Sequence, residues 1–348
     1  MAGTDTKVVL SGIRATGRMH LGNYLGVLER FAAFSRDPGM QPYYFVADLH
    51  TLTTHKEAAL IRAHAPDIIL DMLAAGVDVE RATIYVQSRV PVVTELAWYL
   101  ACLTSVGDLE RMPTFKDKSA RHADDVNAGL LTYPVLMAAD ILGTRAHLVP
   151  VGLDQQPHLE HTRDLARRFT RLYGDCFPIP DGMSDASISV PGLVAMDAEG
   201  RFPKMGKSEA PEQTIFLSDR EEEIAAKIRR APTDPARVRL HDPGSPEKCA
   251  IFSLHTLLST EDELRWSSTG CRTARISCVE CKNALAQNVN ARLAEFHARR
   301  AELATQPKRV EEILDAGERR ARAVFQETTA EVADRMGVFR SFASRAAW

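Results

Sequence analysis

The chain has 348 residues, enough for two domains, and its 45% hydrophobic and 26% charged residues are ordinary for a folded protein. A formal net charge of -3 excludes a protein that coats nucleic acid through bulk positive charge, although a local basic face is compatible with it. No apolar run approaches the ~18 residues of a membrane span, and the N-terminus lacks the layout of a signal peptide. We therefore expect a cytoplasmic protein without a membrane partner.

Strand-like and helix-like segments alternate through the first half of the chain. Strands are predicted at KVVLSGI, QPYYFVADLH, ATIYVQS and AHLVPVG. Helices are predicted at LGNYLGVLERFAAFSR, KEAALIRAHAPDIILDMLAAG, VTELAWYLACLT and AGLLTYPVLMAADIL, with a further long helix from Leu153. The stretch GDLERMPTFKDKSARHADDVN is predicted to be irregular. The alternation indicates parallel strands joined by crossover helices, hence an α/β fold with a Rossmann-like nucleotide-binding sheet.

The second half of the chain has a different pattern. From about Ser218 the strand signal fades, and charged helical patterns continue to the C-terminus. We predict a Rossmann-type catalytic domain over residues 1–212, a helical domain over 213–305, and C-terminal helices over 306–348 that pack back on the first domain. Ligands of open parallel sheets bind beyond the carboxyl ends of the strands. Site residues should therefore follow VVLSG, YYFVADLH, YVQS and VPVG.

The stretch GRFPKMGKS, residues 200–208, ends like a nucleotide-binding P-loop. A P-loop has four residues between its first Gly and Gly-Lys-Ser, directly after a strand. Here five residues separate Gly200 from Gly206, and Pro203 is one of them. The spacing and the lack of a preceding strand exclude a P-loop. A separate Gly-rich stretch, SGIRATGRMHLGNYLG, lies at a predicted helix start, where backbone N–H groups favour anions.

HLGN at residues 20–23, followed by KMGKS at residues 204–208, resembles the His-Ile-Gly-His-like and Lys-Met-Ser-Lys-Ser-like signatures of class I aminoacyl-tRNA synthetases. The segments SGIRATGRMHLGNYLG, GLLTYPVLMAADIL and VPVGLDQQPHLEHTRDLARRF resemble the tryptophanyl branch of this family, over nearly the whole chain. The resemblance implies ATP and Mg²⁺ as reaction components, L-tryptophan and tRNA(Trp) as partners, an anticodon-binding role for the helical domain, and a homodimer.

The implied reaction is an in-line displacement at the α-phosphorus of ATP by a substrate carboxylate, which needs donors and cations but no protein nucleophile. By resemblance, the catalytic residues are His20, Asn23, Lys118, Lys204, Lys207 and Ser208. Those implied to contact ATP are Arg14, Gly22, Asn23, Gly152, Leu153, Asp154, Val190, Lys204, Met205, Gly206, Lys207 and Ser208. Two of these ATP-site positions depart from the bacterial pattern: Arg14 replaces Gln, and Gly206 replaces the middle Ser of the signature.

The amino-acid pocket follows from one helix face. Tyr133, Met137 and Asp140 are four and three residues apart and share that face. An indole N–H is a donor only, so a tryptophan pocket needs an apolar slot with one buried acceptor, which Asp140 would supply. The tyrosyl branch tends to carry Gln where Met137 stands, which favours tryptophan here. The residues assigned to tryptophan are Leu10, which replaces a Phe of bacterial relatives, His50, Tyr133, Met137, Asp140, Val149, Val151 and Gln155.

Four cysteines near the C-terminal third predict a metal site, because thiolates at this spacing can converge on one centre. They are Cys249, Cys271, Cys278 and Cys281. Structural zinc usually takes two close pairs, whereas three clustered cysteines with one remote partner suit a cubane iron–sulfur cluster at least as well. The resemblance favours the cluster, since a subset of bacterial tryptophanyl synthetases carries [4Fe-4S] on nearly this pattern. Arg272, Arg275 and Lys282 are nearby candidates for RNA phosphate contacts.

Two alternatives stay open from the sequence. One is tyrosine activation, which pyrophosphate exchange with each amino acid would separate from tryptophan activation. The other is a paralogue that keeps the fold but acts as a cluster-bearing RNA-binding or redox-sensing protein. The presence of both nucleotide signatures and of the pocket carboxylate argues against the second.

Overall fold

The structure, a computed structural model, describes residues 6–121, 126–183, 188–206 and 210–339, without the side chains of residues 118–121 and Leu153. Within these residues, five strands form one parallel sheet in the order β3-β2-β1-β4-β5. The strands are β1 (Lys7–Ile13), β2 (Met40–Val46), β3 (Thr83–Val86), β4 (Leu148–Val149) and β5 (Asp181–Gly182). This is the strand order of a doubly wound nucleotide-binding fold, and it confirms the predicted α/β class.

Helices connect the strands and then follow them. Those of the sheet-forming half are α1 (Leu21–Asn23), α2 (Glu29–Arg36), α3 (Asp48–Thr51), α4 (Ala58–Ala74), α5 (Val92–Ala101), α6 (Val106–Arg111), α7 (Pro113–Arg121), α8 (Ala128–Gly143) and α9 (Gln156–Tyr173). Those that follow the sheet are α10 (Glu221–Arg230), α11 (Ala250–Leu258), α12 (Glu261–Arg272), α13 (Cys278–Ala304) and α14 (Pro307–Arg335). None of the helices in the described residues is long and apolar enough to cross a membrane.

The stretch predicted to be irregular is helical over most of its length, so that prediction is wrong. It contains α6 and α7, which are only six and nine residues long. The α6 helix begins at a capped end, because the Ser105 hydroxyl accepts a hydrogen bond from the Asp108 N–H. The α7 helix begins at Pro113, a residue that suits the first helical position because it lacks an N–H. Helices this short carry too little periodicity to be recognised from hydrophobic spacing.

The sheet separates two apolar cores, as the alternation along β2 shows. Tyr43 and Phe45 join the core that contains Phe325 of α14, whereas Tyr44 and Val46 join the opposite core. Successive strand residues point to opposite faces, so a strand buried on both sides is apolar throughout. The second core also contains residues of α10, α11 and α13. The helices that follow the sheet therefore share a hydrophobic core with it.

Candidate active site

A cavity of about 520 Å³ opens at the carboxyl ends of β1 and β4. After β1 the sheet continues on one side with β2 and β3, and after β4 it continues on the other side with β5. Doubly wound folds bind their ligands at this reversal of strand order. The volume is typical of a small-molecule site. Eleven residues predicted for ATP or tryptophan line it, namely Leu10, Arg14, Asn23, His50, Tyr133, Met137, Asp140, Val149, Val151, Gly152 and Gln155.

Asp140 is the fixed carboxylate of this cavity. Its side chain is almost fully buried, and its Oδ2 atom lies 2.9 Å from Nε2 of His50. Gln87 Nε2 donates to both carboxylate oxygens at 2.9 Å. Burial raises the pKa of Asp140, and the hydrogen bonds from His50 and Gln87 oppose that rise because they favour the charged form. The arrangement presents a desolvated acceptor beside the side chain of Met137, which also lines the cavity.

Tyr133 is held from behind by two polar side chains. Its hydroxyl donates to Thr114 Oγ1 at 2.8 Å and lies 3.0 Å from Nε2 of His158. Thr114 belongs to α7 and His158 to α9, and the same His158 nitrogen is 2.9 Å from Thr114 Oγ1. Burial raises the pKa of Tyr133, so the hydroxyl stays neutral. The ring therefore lines the cavity as part of a rigid wall that three helices share.

The segment that follows the second signature motif is paired with the first. The Leu21 N–H donates to the Ile215 carbonyl, and the Leu217 N–H donates to the Met19 carbonyl, both at 2.9 Å. These bonds pair the chain just after KMGKS with the chain around HLGN. The Met205 N–H donates to the Val190 carbonyl at 2.9 Å. Residues 194 and 198 positions apart in the sequence are thus joined directly by backbone hydrogen bonds.

The side chains of His20 and Val190 lie close to Gly22 of HLGN. A Cβ at Gly22 would stand 3.0 Å from the His20 ring and 3.5 Å from the Val190 Cβ. The His20 N–H donates to Asn23 Oδ1 at 3.1 Å and closes the first turn of α1. His20 itself is buried beside the cavity, whereas Asn23 lines it. The absence of a side chain at Gly22 leaves room for a ligand to approach this turn.

Of the remaining predicted contacts, Arg14, Gly152 and Gln155 line the cavity, whereas Asp154 and Lys204 do not. Arg14 Nη2 donates to Thr54 Oγ1 at 2.5 Å, and burial lowers the pKa of the guanidinium. Gln155 Nε2 donates to Asp154 Oδ2 at 2.6 Å, in the turn just after β4. A Cβ at Gly152 would lie 2.7 Å from Asp154 Oδ1, so a side chain here would displace the Asp154 carboxylate. Lys204 is exposed, and its backbone pairs with Pro191.

Part of the predicted site lies outside the described residues. Lys207 and Ser208 are among these, as are the side chains of Lys118 and Leu153. Gly206 is the last residue described before that gap, and its carbonyl accepts from Thr214 Oγ1 at 3.2 Å.

Gln87 is a site residue that the sequence reasoning did not assign. It stands immediately after β3 and is completely buried behind Asp140. Its position in YVQS, at the carboxyl end of a predicted parallel strand, was a signal that pointed to this edge. The sequence does not show which way the Gln87 side chain points, because packing between β3, α3 and α8 sets that direction.

The four cysteines line one small cavity in the helices that follow the sheet. Cys249 precedes α11, Cys271 lies in the last turn of α12, and Cys278 and Cys281 lie in the first turn of α13. Burial raises the pKa of Cys281 to about 11. In the part of the chain that the structure describes, no group of three or more His, Cys, Asp or Glu could hold a metal ion.

Polar groups contact two of these sulfurs. Arg237 Nη1 is 3.8 Å from Cys271 Sγ, and the same guanidinium donates from Nη2 to the Ile276 carbonyl at 2.6 Å. Cys281 Sγ lies 3.3 Å from Ser267 Oγ and 3.4 Å from Nε2 of His255. Arg237 donates and so favours the Cys271 thiolate, whereas burial raises the pKa of both thiols overall.

The cations predicted to contact RNA are partly engaged within the protein. Lys282 Nζ donates to the carbonyls of Arg229 and Ala231 at 2.9 and 2.6 Å, where α10 ends. Arg272 pairs with Glu247 at 2.9 Å on the surface. Of the three, Arg275 is not involved in a described ion pair.

A second concavity, of about 610 Å³, lies between α6 and α9 and contains none of the predicted site residues. Ion pairs occupy much of its wall, among them Arg111 with Asp108 and Arg167 with Asp164. The chemistry therefore belongs to the cavity at β1 and β4.

Fold and site together define a nucleotide-binding α/β enzyme whose ligands lie at the carboxyl edge of a parallel sheet. The sequence profile described as tRNA synthetases class I (W and Y) matches residues 3–294. The tryptophan–tRNA ligase of Deinococcus radiodurans is 40% identical over 332 residues, 94% of this chain and 98% of the relative. That of Treponema pallidum is 43% identical over 336 residues, 95% of this chain and 96% of the relative.

A solved structure agrees with these relatives. The tryptophanyl-tRNA synthetase of Campylobacter jejuni, in complex with ADP and tryptophan, superposes with a TM-score of 0.85 at 30% identity. The match covers 95% of this chain and 99% of that one. The chain therefore belongs to the tryptophan and tyrosine family of class I tRNA synthetases.

Proposed function

We propose that the chain is a tryptophan–tRNA ligase, which uses ATP to form tryptophanyl-adenylate and pyrophosphate and then transfers tryptophan to tRNA(Trp). The observation that carries the choice of amino acid is the Asp140 carboxylate, held in a buried position on the wall of a largely apolar cavity. An indole offers one N–H donor on a large apolar ring, and this wall supplies the matching acceptor. The 40% and 43% identical ligases support the same function.

The amino acid would lie with its ring against Met137, Val149 and Val151 and its N–H on Asp140. Its carboxylate then points toward the turn after β4, where Gln155 and Gly152 line the cavity. The first step needs that carboxylate oxygen to attack the α-phosphorus of ATP in line with departing pyrophosphate. Positioning by the cavity wall supplies most of what the protein can contribute, because no covalent intermediate with the protein is required.

Charge on the phosphates is met by the two signature motifs. His20 and Asn23 lie at the helix start beside the cavity, and the chain after KMGKS is paired with the same segment. We assign Lys204, Lys207 and Ser208 to the departing pyrophosphate, with Lys118 as a further cation and Arg14 close to the phosphates. Contacts from Gly22, Leu153, Asp154, Val190, Met205 and Gly206 complete the proposed ATP site. Mg²⁺ accompanies the triphosphate and reduces its negative charge.

We assign a [4Fe-4S] cluster to the four cysteines on their donor chemistry, although the described side chains are not gathered into a metal-binding group. All four line one cavity, Arg237 donates to Cys271 Sγ, and Ser267 Oγ and His255 Nε2 lie within hydrogen-bond distance of Cys281 Sγ. Hydrogen bonds to sulfur are a usual feature of iron–sulfur sites, and four thiolates are the ligand set of a cubane. When bound, the cluster would cross-link the ends of α11, α12 and α13. Zinc is the alternative occupant, and metal analysis separates the two.

We assign the proposed functions to the three predicted domains. Residues 1–212 contain the sheet and the catalytic cavity, and residues 213–305 contain the cysteines. Within residues 306–348, α14 packs against β3, and its Phe325 joins the core that contains Tyr43 and Phe45. We assign anticodon binding to the helical domain, and a homodimeric, cytoplasmic state to the whole enzyme. A molar mass in light scattering near that of one chain would contradict the dimer.

ATP–pyrophosphate exchange with tryptophan and with tyrosine tests the function. We expect exchange that depends on tryptophan, followed by charging of tRNA(Trp) in a second assay. A preference for tyrosine would place the chain in the tyrosyl branch and refute the role of Met137 and Asp140. RNA binding with no exchange on either amino acid would instead favour a non-charging paralogue.

A further inference from the structure

Gln87 is buried behind the pocket carboxylate, on the side away from the cavity. It begins the 3₁₀ turn that follows β3, and none of its surface is exposed. Its Nε2 atom lies 2.9 Å from Oδ1 and 2.9 Å from Oδ2 of Asp140. One amide group thus contacts both oxygens of the residue that would receive the indole N–H. Gln87 itself is not among the residues that line the cavity.

The chemistry of the neighbours fixes the orientation of the Gln87 amide. An ionised carboxylate only accepts hydrogen bonds, so the NH₂ end must face Asp140. The opposite end, Oε1, lies 3.4 Å from the backbone N–H of His50, which can only donate. Both contacts select the same orientation. The amide is therefore held between α3 and α8 and fixes the plane of the carboxylate.

The two carboxylate oxygens are not equally engaged. Oδ2 receives Gln87 and also lies 2.9 Å from Nε2 of His50, whereas Gln87 is the described hydrogen-bond partner of Oδ1. A carboxylate has about four acceptor positions, so Oδ1 retains capacity for a further donor. Because Asp140 is only 1% exposed, water cannot readily replace a misdirected bond. A substrate N–H must meet an oxygen that is already aimed at it.

We propose that Gln87 is a positioning residue for amino-acid selection, which orients Asp140 so that its free acceptor position meets the indole N–H of tryptophan. This inference rests on the proposed tryptophan activation. Gln87 lines no part of the cavity, and its effect on the substrate passes through Asp140. Its effect should therefore depend on whether the substrate has a ring N–H, which a general effect on folding or on ATP binding would not.

The positioning role of Gln87 is tested by comparing two forms of the protein on two substrates. The substrates are tryptophan and β-(benzothien-3-yl)alanine, which has sulfur in place of the ring N–H. The enzymes are the unaltered protein and Gln87→Met, which keeps the length of the side chain and removes its hydrogen bonds. In pyrophosphate exchange we expect Gln87→Met to lose about 10-fold to 100-fold in kcat/KM for tryptophan, mostly through KM. For the analogue the loss should be less than about 3-fold.

Ser88→Ala is the matched control, because Ser88 is the exposed next residue and its side chain does not contact Asp140. It should leave both substrates unchanged. Equal losses of Gln87→Met on both substrates would overturn the inference and leave the proposed function intact. Lack of tryptophan exchange by the unaltered protein would overturn both. If Gln87→Met does not fold, as judged by circular dichroism, Gln87→Asn withdraws the amide from Asp140 and must show the same substrate-dependent loss.

Discussion

Gly317 of α14 lies directly against the backbone of Ile84 in β3. A Cβ built on Gly317 would stand 1.9 Å from the Ile84 carbonyl oxygen and 2.9 Å from its carbonyl carbon. The helix can approach the sheet this closely only because the residue has no side chain. Phe325, further along α14, enters the core on the same side of the sheet. The last long helix is thus part of the packing of the nucleotide-binding half.

Gly317→Ala should destabilise the protein even though alanine is the better helix former. The added methyl group would clash with backbone atoms of Ile84. Because backbone atoms in a strand cannot rotate out of the way as a side chain can, α14 must move away from β3. We expect the free energy of unfolding to fall by about 1–3 kcal/mol, as for other overpacked cores. Gly107→Ala in α6 is the control, because the nearest neighbour of its Cβ would be the flexible end of Arg111, at 3.1 Å, and Ser105 Oγ would lie at an ordinary contact distance of 3.7 Å. Urea unfolding of both variants checks this, and equal midpoints would contradict the close packing.

How far the sequence predicts this fold depends on the length of each element. The long helices and the strands Lys7–Ile13 and Met40–Val46 have clear periodicity or apolar runs, and their prediction is confirmed. The two-residue strand Asp181–Gly182 carries no such pattern and was not predicted. Its pairing comes from the position of β4, not from its own side chains. The short helices α6 and α7 were missed for the same reason.

The site shows a similar limit. Motif spacing identified the lining residues Met137 and Asp140, since helix geometry places residues three apart on one face. It could not identify Gln87, whose role depends on a contact across 53 positions of sequence. Nor did it indicate that Lys282 is bonded to carbonyls at the end of α10. Contacts of this kind are set by tertiary packing.

Arg300 of α13 should be important for joining the helical half to α4. Its Nε donates to Asp71 Oδ1 at 2.7 Å, and its Nη2 donates to Asp67 Oδ1 at 2.8 Å. Asp71 is only 3% exposed, so Arg300→Ala leaves a buried charge without this partner. We expect a loss of about 3–5 kcal/mol in the free energy of unfolding. Asp71→Ala combined with Arg300→Ala should recover part of it.

The matched control for that ion pair is Arg292→Ala. Arg292 also lies on α13 and pairs with Glu29 at 2.6 Å, but about half of its side chain is exposed. An exposed pair contributes about 0–1 kcal/mol. If urea unfolding gave the same loss for Arg292→Ala and Arg300→Ala, burial of Asp71 would not be the cause.

The cysteine site should hold an iron–sulfur cluster in protein purified without oxygen. We expect a brown preparation with broad absorption near ~400 nm and an iron content that Cys271→Ala reduces strongly. Cys102→Ala is the control, because Cys102 is exposed on the other half of the protein and lines no part of the cysteine cavity. Iron and zinc are measured by elemental analysis. A colourless protein that carries zinc would refute the cluster.

The lysines of KMGKS should act on the chemical step and not on folding. Lys204→Ala and Lys207→Ala are each expected to lower the rate of pyrophosphate exchange by about 10²–10³-fold, as loss of a group that stabilises developing charge does. Gly206→Ser restores the usual residue of the signature and should be tolerated. Arg201→Ala is the control, because Arg201 is exposed and pairs with Asp197. Near-normal exchange in Lys207→Ala would show that the catalytic cations lie on a different loop.

The pH dependence of tryptophan activation should report on Asp140. Burial raises its pKa, with a further rise from the like charge of Asp48, while His50 and Gln87 lower it. Because the net shift is upward, the carboxylate takes up its proton at a higher pH than the ~3.9 of free aspartate. A protonated Asp140 is a poorer acceptor for an indole N–H. The value of kcat/KM for tryptophan should therefore be intact above the raised pKa and fall as the pH decreases through it.

The same acid limb should be absent for β-(benzothien-3-yl)alanine, which has no ring N–H to lose. In Gln87→Met the limb for tryptophan should move to higher pH, because the lost hydrogen bond favoured the charged carboxylate. Protonation of Asp140 does not itself unfold the protein: a carboxyl whose pKa is raised by folding binds its proton more tightly in the folded state, so its contribution to stability increases as the pH falls. Pyrophosphate exchange between about pH 4.5 and 8 measures both profiles. Parallel acid limbs for the two substrates would show that a group other than Asp140 titrates.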